Sequence, residues 1–337
     1  MARHLVNDPF DAVDDMMRGV TAAHHDRVAL TASGRGLYTR DSDPRRRISV
    51  VVGGGSGHEP AFLGWVGPGL ADAAAVGNVF AAPAADPVVE VVQALDRPDG
   101  ALFLFGNYEG DVMNFRLAGE FLADTGIASR TVLITDDVAS APAHSPHKRR
   151  GVAGGVVVAK AAGALADRGA SLDDVAALAE SVNDATRSIG VALSSCHLPA
   201  AARPTFELPD TEMGFGIGVH GETGLSRRTR GTAAETAAQL VHALLDDQPA
   251  LAGSRALVLV NTFGATPLME AYIVLGEAVE LLRKEGTTPV FAHAGAYLTS
   301  LQMAGVSLTT TLLTPETEAL IAAPGSPLTL PPLGGSR

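Results

Sequence analysis

The sequence predicts an α/β protein of two domains, each a sheet covered by helices, with the active site on strand-end loops. Short apolar or β-branched runs stop abruptly in glycine or polar loops, and helical patterns with recognisable starts lie between them. Size points the same way. The chain has 337 residues, 46% of them apolar, and single cores rarely grow beyond about 250–300 residues. Aromatics make up 5% while there are 37 glycines and 20 prolines, so the interiors are to be built from Ala, Val and Leu with tight turns between elements.

The strands are read in order as ISVVV ahead of Gly53, ALFLF ahead of Gly106, TVLIT ahead of Asp136 and FGIGV ahead of His220. Among the helices, Ser171 with Asp174 and Thr232 with Glu235 have capping-box spacing, which lets a hydroxyl and a carboxylate satisfy the first orphan amides. Thr266 and Thr314 each precede a proline, so those two helices are expected to open with Pro at the first helical position. The apolar positions of 267–284 read as one buried helix face. The domain division falls near 190, giving domains 1–190 and 191–337, with the Pro/Ala linker LPAAARP at 198–204. The Pro/Gly-rich end, 323–337, reads as an unstructured tail.

Net charge is −12 and the basic residues form only short runs, which argues against nucleic acid as a partner. A single cysteine, Cys196, excludes an internal disulfide and fits a reducing compartment. The acidic N-terminus lacks a signal-peptide core, and Lys160 interrupts the one long apolar stretch, so a cytoplasmic protein without a membrane span is expected.

Three loops carry candidate chemistry. In GGGSGHEP, consecutive glycines allow the backbone to approach a ligand and point its N–H groups at it, with His58 beside that nest. In GNYEGD, Asp111 stands at a strand end near a helix start, placed either to accept a proton or to cap the helix. In EMGFGIGVHGETG, Gly216, Gly218 and Gly221 have the spacing of a dinucleotide fingerprint. That motif needs an apolar helix at its third glycine, whereas the chain continues as the polar ETGLSRRTRG, so a nicotinamide dehydrogenase is disfavoured. The glycines instead leave the His220 ring accessible. The HSPH of His144 and His147 suits a solvated turn better than a metal site, and Cys196 and His197, as strand neighbours, would face opposite ways.

Together GGGSGHEP, NYEGD, RRGVAGG, GVALSSC, GIGVHGE, NTFGATPLME and YLTSLQMAG, in this order over nearly the whole chain, resemble the substrate-binding part of the dihydroxyacetone kinase family. The resemblance implies a dimeric two-domain α/β subunit in which His220 forms a covalent hemiaminal with a ketone. His58 and Asp111 are then acid/base and hydroxyl-binding groups, with Gly54 and Gly55 offering backbone contacts. A neutral imidazole can add its lone pair to a carbonyl carbon without a metal. No Walker A sequence or aspartate cup is present. The resemblance implies a separate helical nucleotide-binding domain, fused or supplied as another subunit; ATP or ADP with Mg is expected there, on a partner in trans, recharged by free ATP or by a phosphotransferase-system protein. The alternative is a non-catalytic ketose-binding regulator of the same family. Gly106 and Ala82 depart from the family pattern of Lys and Ser near the substrate. A gap at Gly106 would admit a larger ketose such as erythrulose.

Overall fold

The computed structural model describes residues 4–41, 43–330 and 333. The first sheet gathers β1 (Val28–Leu30), β2 (Gly36–Thr39), β3 (Ser49–Ser56), β4 (Ala73–Val79), β5 (Ala101–Gly106) and β6 (Ser129–Ile134) in the order β1-β2-β4-β3-β5-β6. Strands β4, β3, β5 and β6 are parallel, while β1 and β2 form an antiparallel edge. The second sheet runs β11-β10-β12-β7-β8-β9, with β7 (Thr186–Ala192), β8 (Glu212–Phe215), β9 (Ser226–Thr229), β10 (Arg255–Thr262), β11 (Thr288–Gly295) and β12 (Gly305–Leu312). Only β10 and β11 are parallel there. Strand β7 crosses residue 190, so the expected division falls inside a strand of the second sheet.

Alternation along the strands explains the layers, because successive side chains point to opposite faces. Val50 and Val52 of β3, with Leu102 and Leu104 of β5, enter the large central core. Val51, Phe103 and Phe105 turn the other way, toward the helices α2 (Ala85–Leu95) and α3 (Glu109–Asp124). In β10, Ala256, Val258 and Val260 pack with α6 (Ala233–Asp247) and α7 (Leu268–Lys284). Leu257 and Leu259 instead join the central core, so the second sheet shares its other face with the first half of the chain. Helix α4 (Gly155–Ala166) lies in that core, with only Leu165 outside its buried set. Helix α1 (Ala12–His24) and helix α5 (Leu172–Asp184) pack against it too.

Both capped starts form. Ser171 Oγ accepts from Asp174 N, and Thr232 with Glu235 makes a complete capping box. Helix α8 (Pro315–Ile321) opens with Pro315 at its first position, as expected. Helix α7 does not, because Pro267 is its N-cap. Thr266 Oγ1 is engaged with the backbone N–H and C=O of Gly305. The buried face of α7 is Ala271, Val274, Leu275, Ala278 and Leu282, but Leu268, Met269, Tyr272 and Ile273 are exposed, so its apolar residues do not form one buried face.

The C-terminal segment is docked rather than unstructured through its described part. Lys160, 2% exposed, donates to the carbonyls of Ala323 and Pro324. Leu328 N donates to Val66 O, and Leu328, Leu330 and Leu333 are buried. Residues 331, 332 and 334–337 lie outside the description. Among the described residues no helix is long and apolar enough to cross a membrane.

Candidate functional site

The parallel strands of the first sheet end on one side, where open α/β sheets place their ligand sites. There a cavity is lined by Gly53, Gly54, Gly55, His58, Gly106, Tyr108, Asp111 and His220, among others. Three sequence-predicted residues from loops far apart in the chain, His58, Asp111 and His220, thus meet at one site.

The three glycines are not a loop nest. They belong to β3, where Gly53 pairs with Ala75 and Phe105, and Gly54 with Val76. Glycine is required there by close approach. An added Cβ at Gly54 would stand 2.5 Å from the Phe62 ring, and one at Gly55 would stand 2.7 Å from Ala81 N. The turn out of the strand comes at Gly57, with φ +95°, and delivers His58. Its ring is 4% exposed, stacked on Phe80 at 4.8 Å between centroids, with Nδ1 2.7 Å from Thr299 O. Burial, followed by the charge of His220, holds the His58 pKa down at about 3.

Asp111 lies in the first turn of α3, 8% exposed. It does not serve as the helix cap; Tyr108 occupies that position. Its Oδ1 is buried without a hydrogen-bond partner. Burial pushes its carboxyl up to about 7, against the opposing pull of His220. An acceptor left open beside a cavity is suited to a substrate hydroxyl.

The strand expected up to Val219 stops at Phe215, and 216–225 form the turn into β9. A strand rather than an apolar helix therefore follows Gly221, which removes the structural basis of the dinucleotide motif. In that turn His220 Nε2 lies 2.9 Å from His58 Nε2. Its Nδ1 is 2.8 Å from Glu222 Oε1, and its own N–H donates to Glu222 Oε2 at 3.0 Å. Burial works to raise the Glu222 carboxyl, but the bond to His220 and the charges of His220 and Arg150 hold it down at about 2. Arg150 in turn pairs with Asp137 at 2.7 Å.

The segment after β11 brackets these loops. Thr299 N donates to His58 O, Thr299 Oγ1 to Glu59 O and Ser300 Oγ to Val219 O. Asn261 fixes the bracket by accepting from Tyr297 N and Leu298 N while donating to Leu298 O. This gives the NTFGATPLME and YLTSLQMAG motifs a physical role.

Gly106 lines the cavity, but it leaves no gap. An added Cβ would meet Tyr108 Cε2 at 2.8 Å, and Tyr108 is held there by donating to Gly151 O at 3.2 Å. The space that was expected to accommodate a larger substrate is taken by an aromatic ring. Ala82 is not among the lining residues; its Cβ packs against Gly110, the residue before Asp111. His144 and His147 are exposed, and Cys196 Sγ is 2.8 Å from Thr205 Oγ1. Among the described residues no group of three or more His, Cys, Asp and Glu is arranged to hold a metal. Sequence reading had assigned no role to Glu222, Tyr108, Phe80, Arg150 or Thr299. All but Phe80 stand inside quoted motifs, GIGVHGE, NYEGD, RRGVAGG and YLTSLQMAG, which is where a signal for them lay.

Buried His58 against half-buried His220, with an open carboxyl beside them at the strand ends of an α/β sheet, defines a candidate small-molecule site. The Dak1 domain matches residues 18–328, and the chain belongs to that family. It is 44% identical to the D-erythrulose kinase of Mycolicibacterium smegmatis over 95% of its own length, and spans 55% of the length of that relative. It is 41% identical to the dihydroxyacetone-binding subunit DhaK of PTS-dependent dihydroxyacetone kinase 2 of Listeria innocua, covering 96% of this chain and 97% of that one. A solved structure described as the dihydroxyacetone kinase operon co-activator Dha-DhaQ superposes with a TM-score of 0.89 at 30% identity, covering 96% of this chain and 99% of the other.

Proposed function

We propose that the chain is the substrate-binding component of a kinase for small ketoses, dihydroxyacetone or a four-carbon relative such as erythrulose. It holds the ketone as a hemiaminal on Nε2 of His220 while a separate helical nucleotide-binding subunit, carrying ATP or ADP with Mg, donates the phosphoryl group. One observation carries this reading: His220 and Asp111, whose Oδ1 has no hydrogen-bond partner, line the same cavity. The adduct selects ketones over polyols of equal size, which a purely hydrogen-bonding pocket does poorly. It also fixes the terminal hydroxyl, so transfer gains from positioning, with Asp111 taking or orienting the proton. Backbone groups of Gly54, Gly55 and Gly106 border the substrate. The names of the relatives support a three- or four-carbon ketose. The same reading takes the chain to act as a cytoplasmic homodimer.

The test is carbon NMR with dihydroxyacetone and erythrulose labelled at the carbonyl carbon. The protein is expected to convert that signal to a tetrahedral one, and His220→Ala to leave it a free ketone. An unchanged carbonyl signal at saturating ketose would overturn the covalent role. A second reading, a ketose-sensing regulator, is favoured by the likeness to the Dha-DhaQ co-activator. Adduct formation without turnover, when the chain is mixed with a dihydroxyacetone kinase nucleotide-binding subunit and ATP, would decide for it.

A further inference from the structure

We propose that Glu222 is the positioning residue of the ketone addition, its carboxylate aligning His220 and balancing the positive charge that bonding through Nε2 leaves on the ring. This rests on the reading of His220 as the nucleophile.

The proton count follows from the partners, since each ring's tautomer is set by what its nitrogens face. His58 Nδ1 faces the carbonyl of Thr299 at 2.7 Å, which can only accept, so that nitrogen carries hydrogen. His220 Nδ1 faces the Glu222 carboxylate at 2.8 Å, so it carries hydrogen as well. The two Nε2 atoms, 2.9 Å apart, must then share one further proton. The histidine pair therefore holds one net positive charge, and Glu222 is the carboxylate in contact with it.

Addition starts with the shared proton on His58. The Nε2 lone pair of His220 forms the N–C bond, the carbonyl π pair moves to oxygen, and that oxygen takes the proton from His58 Nε2. His58 ends neutral. His220, alkylated at Nε2 and still bearing hydrogen on Nδ1, ends as an imidazolium. The positive charge has moved from one ring to the other, and nothing else is consumed. A cation in a partly buried site is costly unless paired. Glu222 supplies that pairing at the nitrogen opposite the new bond.

The surroundings keep the carboxylate in place. Its second oxygen accepts from the His220 backbone N–H at 3.0 Å, and Arg150 Nη1 stands 3.8 Å away. Arg150 is itself anchored by Asp137. The rings of Phe80 and Tyr108 meet the His220 ring in T-shaped contacts, with centroids at 5.1 and 5.2 Å, so it has little freedom to turn away from Glu222.

The experiment uses the full chain with ¹⁵N-labelled histidine and either [2-¹³C]dihydroxyacetone or [2-¹³C]erythrulose, followed by NMR. In the wild-type adduct, Nδ1 of His220 is expected to retain its hydrogen while Nε2 becomes the substituted nitrogen. Glu222→Gln is expected to shift the equilibrium at least tenfold toward free ketone, and Glu222→Asp to recover part of that loss, with unchanged circular dichroism. Loss of the Nδ1 hydrogen in the wild-type adduct would overturn the charge-balancing role, and it needs no variant. A Gln variant with the wild-type adduct population would do the same. If wild-type protein forms no tetrahedral carbon, the His220 reading itself falls and takes this role with it.

Discussion

Asp111 and His58 are buried in the same site and are driven in opposite senses. Burial penalises whichever form is charged, so the carboxyl rises to about 7 and the imidazole falls to about 3. Asp111 is thereby favoured as the carboxylic acid, and His58 readily gives up the proton it shares with His220. The working form of Asp111 as a proton acceptor is the carboxylate, so kcat is expected to climb as pH rises through about 7 and then level off. Asp111→Asn should lower kcat about 10²- to 10⁴-fold, with a smaller effect on ketose binding. Stability should move the other way. A carboxyl raised from 3.8 to about 7 contributes stability that is fully present below 3.8 and is lost as pH climbs through 7. Melting curves should therefore show Asp111→Asn gaining on the wild type at pH 8 relative to pH 4.

At the scale of elements, the bracket at 297–300 matters more than any single loop it holds. Asn261, fully buried in β10, satisfies two amide hydrogens and one carbonyl of that segment. Each buried donor left without a partner costs about 1–3 kcal/mol. Asn261→Ala should lower the urea midpoint and also weaken adduct formation, because Thr299 O would no longer orient His58. Thr232→Ala is the contrasting case. It removes the cap of α6 at a cost of about 1 kcal/mol and touches none of the site residues, so the urea midpoint should fall while kcat/KM stays at the wild-type value.

At the scale of the whole molecule, the C-terminal segment ties the end of the chain to the first sheet's core. Removing everything after residue 322 would strip Leu328, Leu330 and Leu333 from that core, each contributing about 1.5–3 kcal/mol when buried. It would also leave Lys160 buried without its carbonyl acceptors. A large drop in the urea midpoint is expected, with a tail-deleted protein of wild-type midpoint as the contrary result. The nucleotide tests the assembly as a whole. The sequence has no phosphate loop, so calorimetry of the chain with ATP and Mg²⁺ should give no heat of binding, and micromolar binding would contradict the division of labour with a partner subunit.

The sequence by itself determined what depends on near neighbours along the chain. Strands β3, β5 and β6 follow from apolar runs ahead of glycine or polar residues, the starts of α5 and α6 from caps three positions apart, and the start of α8 from the proline after Thr314. The motifs named the family and brought out His58, Asp111 and His220, which do converge on one cavity. What it could not determine were contacts between residues remote in sequence. The His58 tautomer depends on Thr299, 241 positions away, and its Nε2 contact on His220, 162 positions away. Gly106 read as a gap because a missing side chain is visible in a sequence, whereas the Tyr108 ring that fills the space is placed only by folding. The tail read as unstructured from its Pro and Gly content, yet it docks because the tertiary core offers its leucines a buried surface and its carbonyls a lysine. Pairing, burial and ionisation at this site are properties of which surfaces meet, and only the tertiary structure decides that.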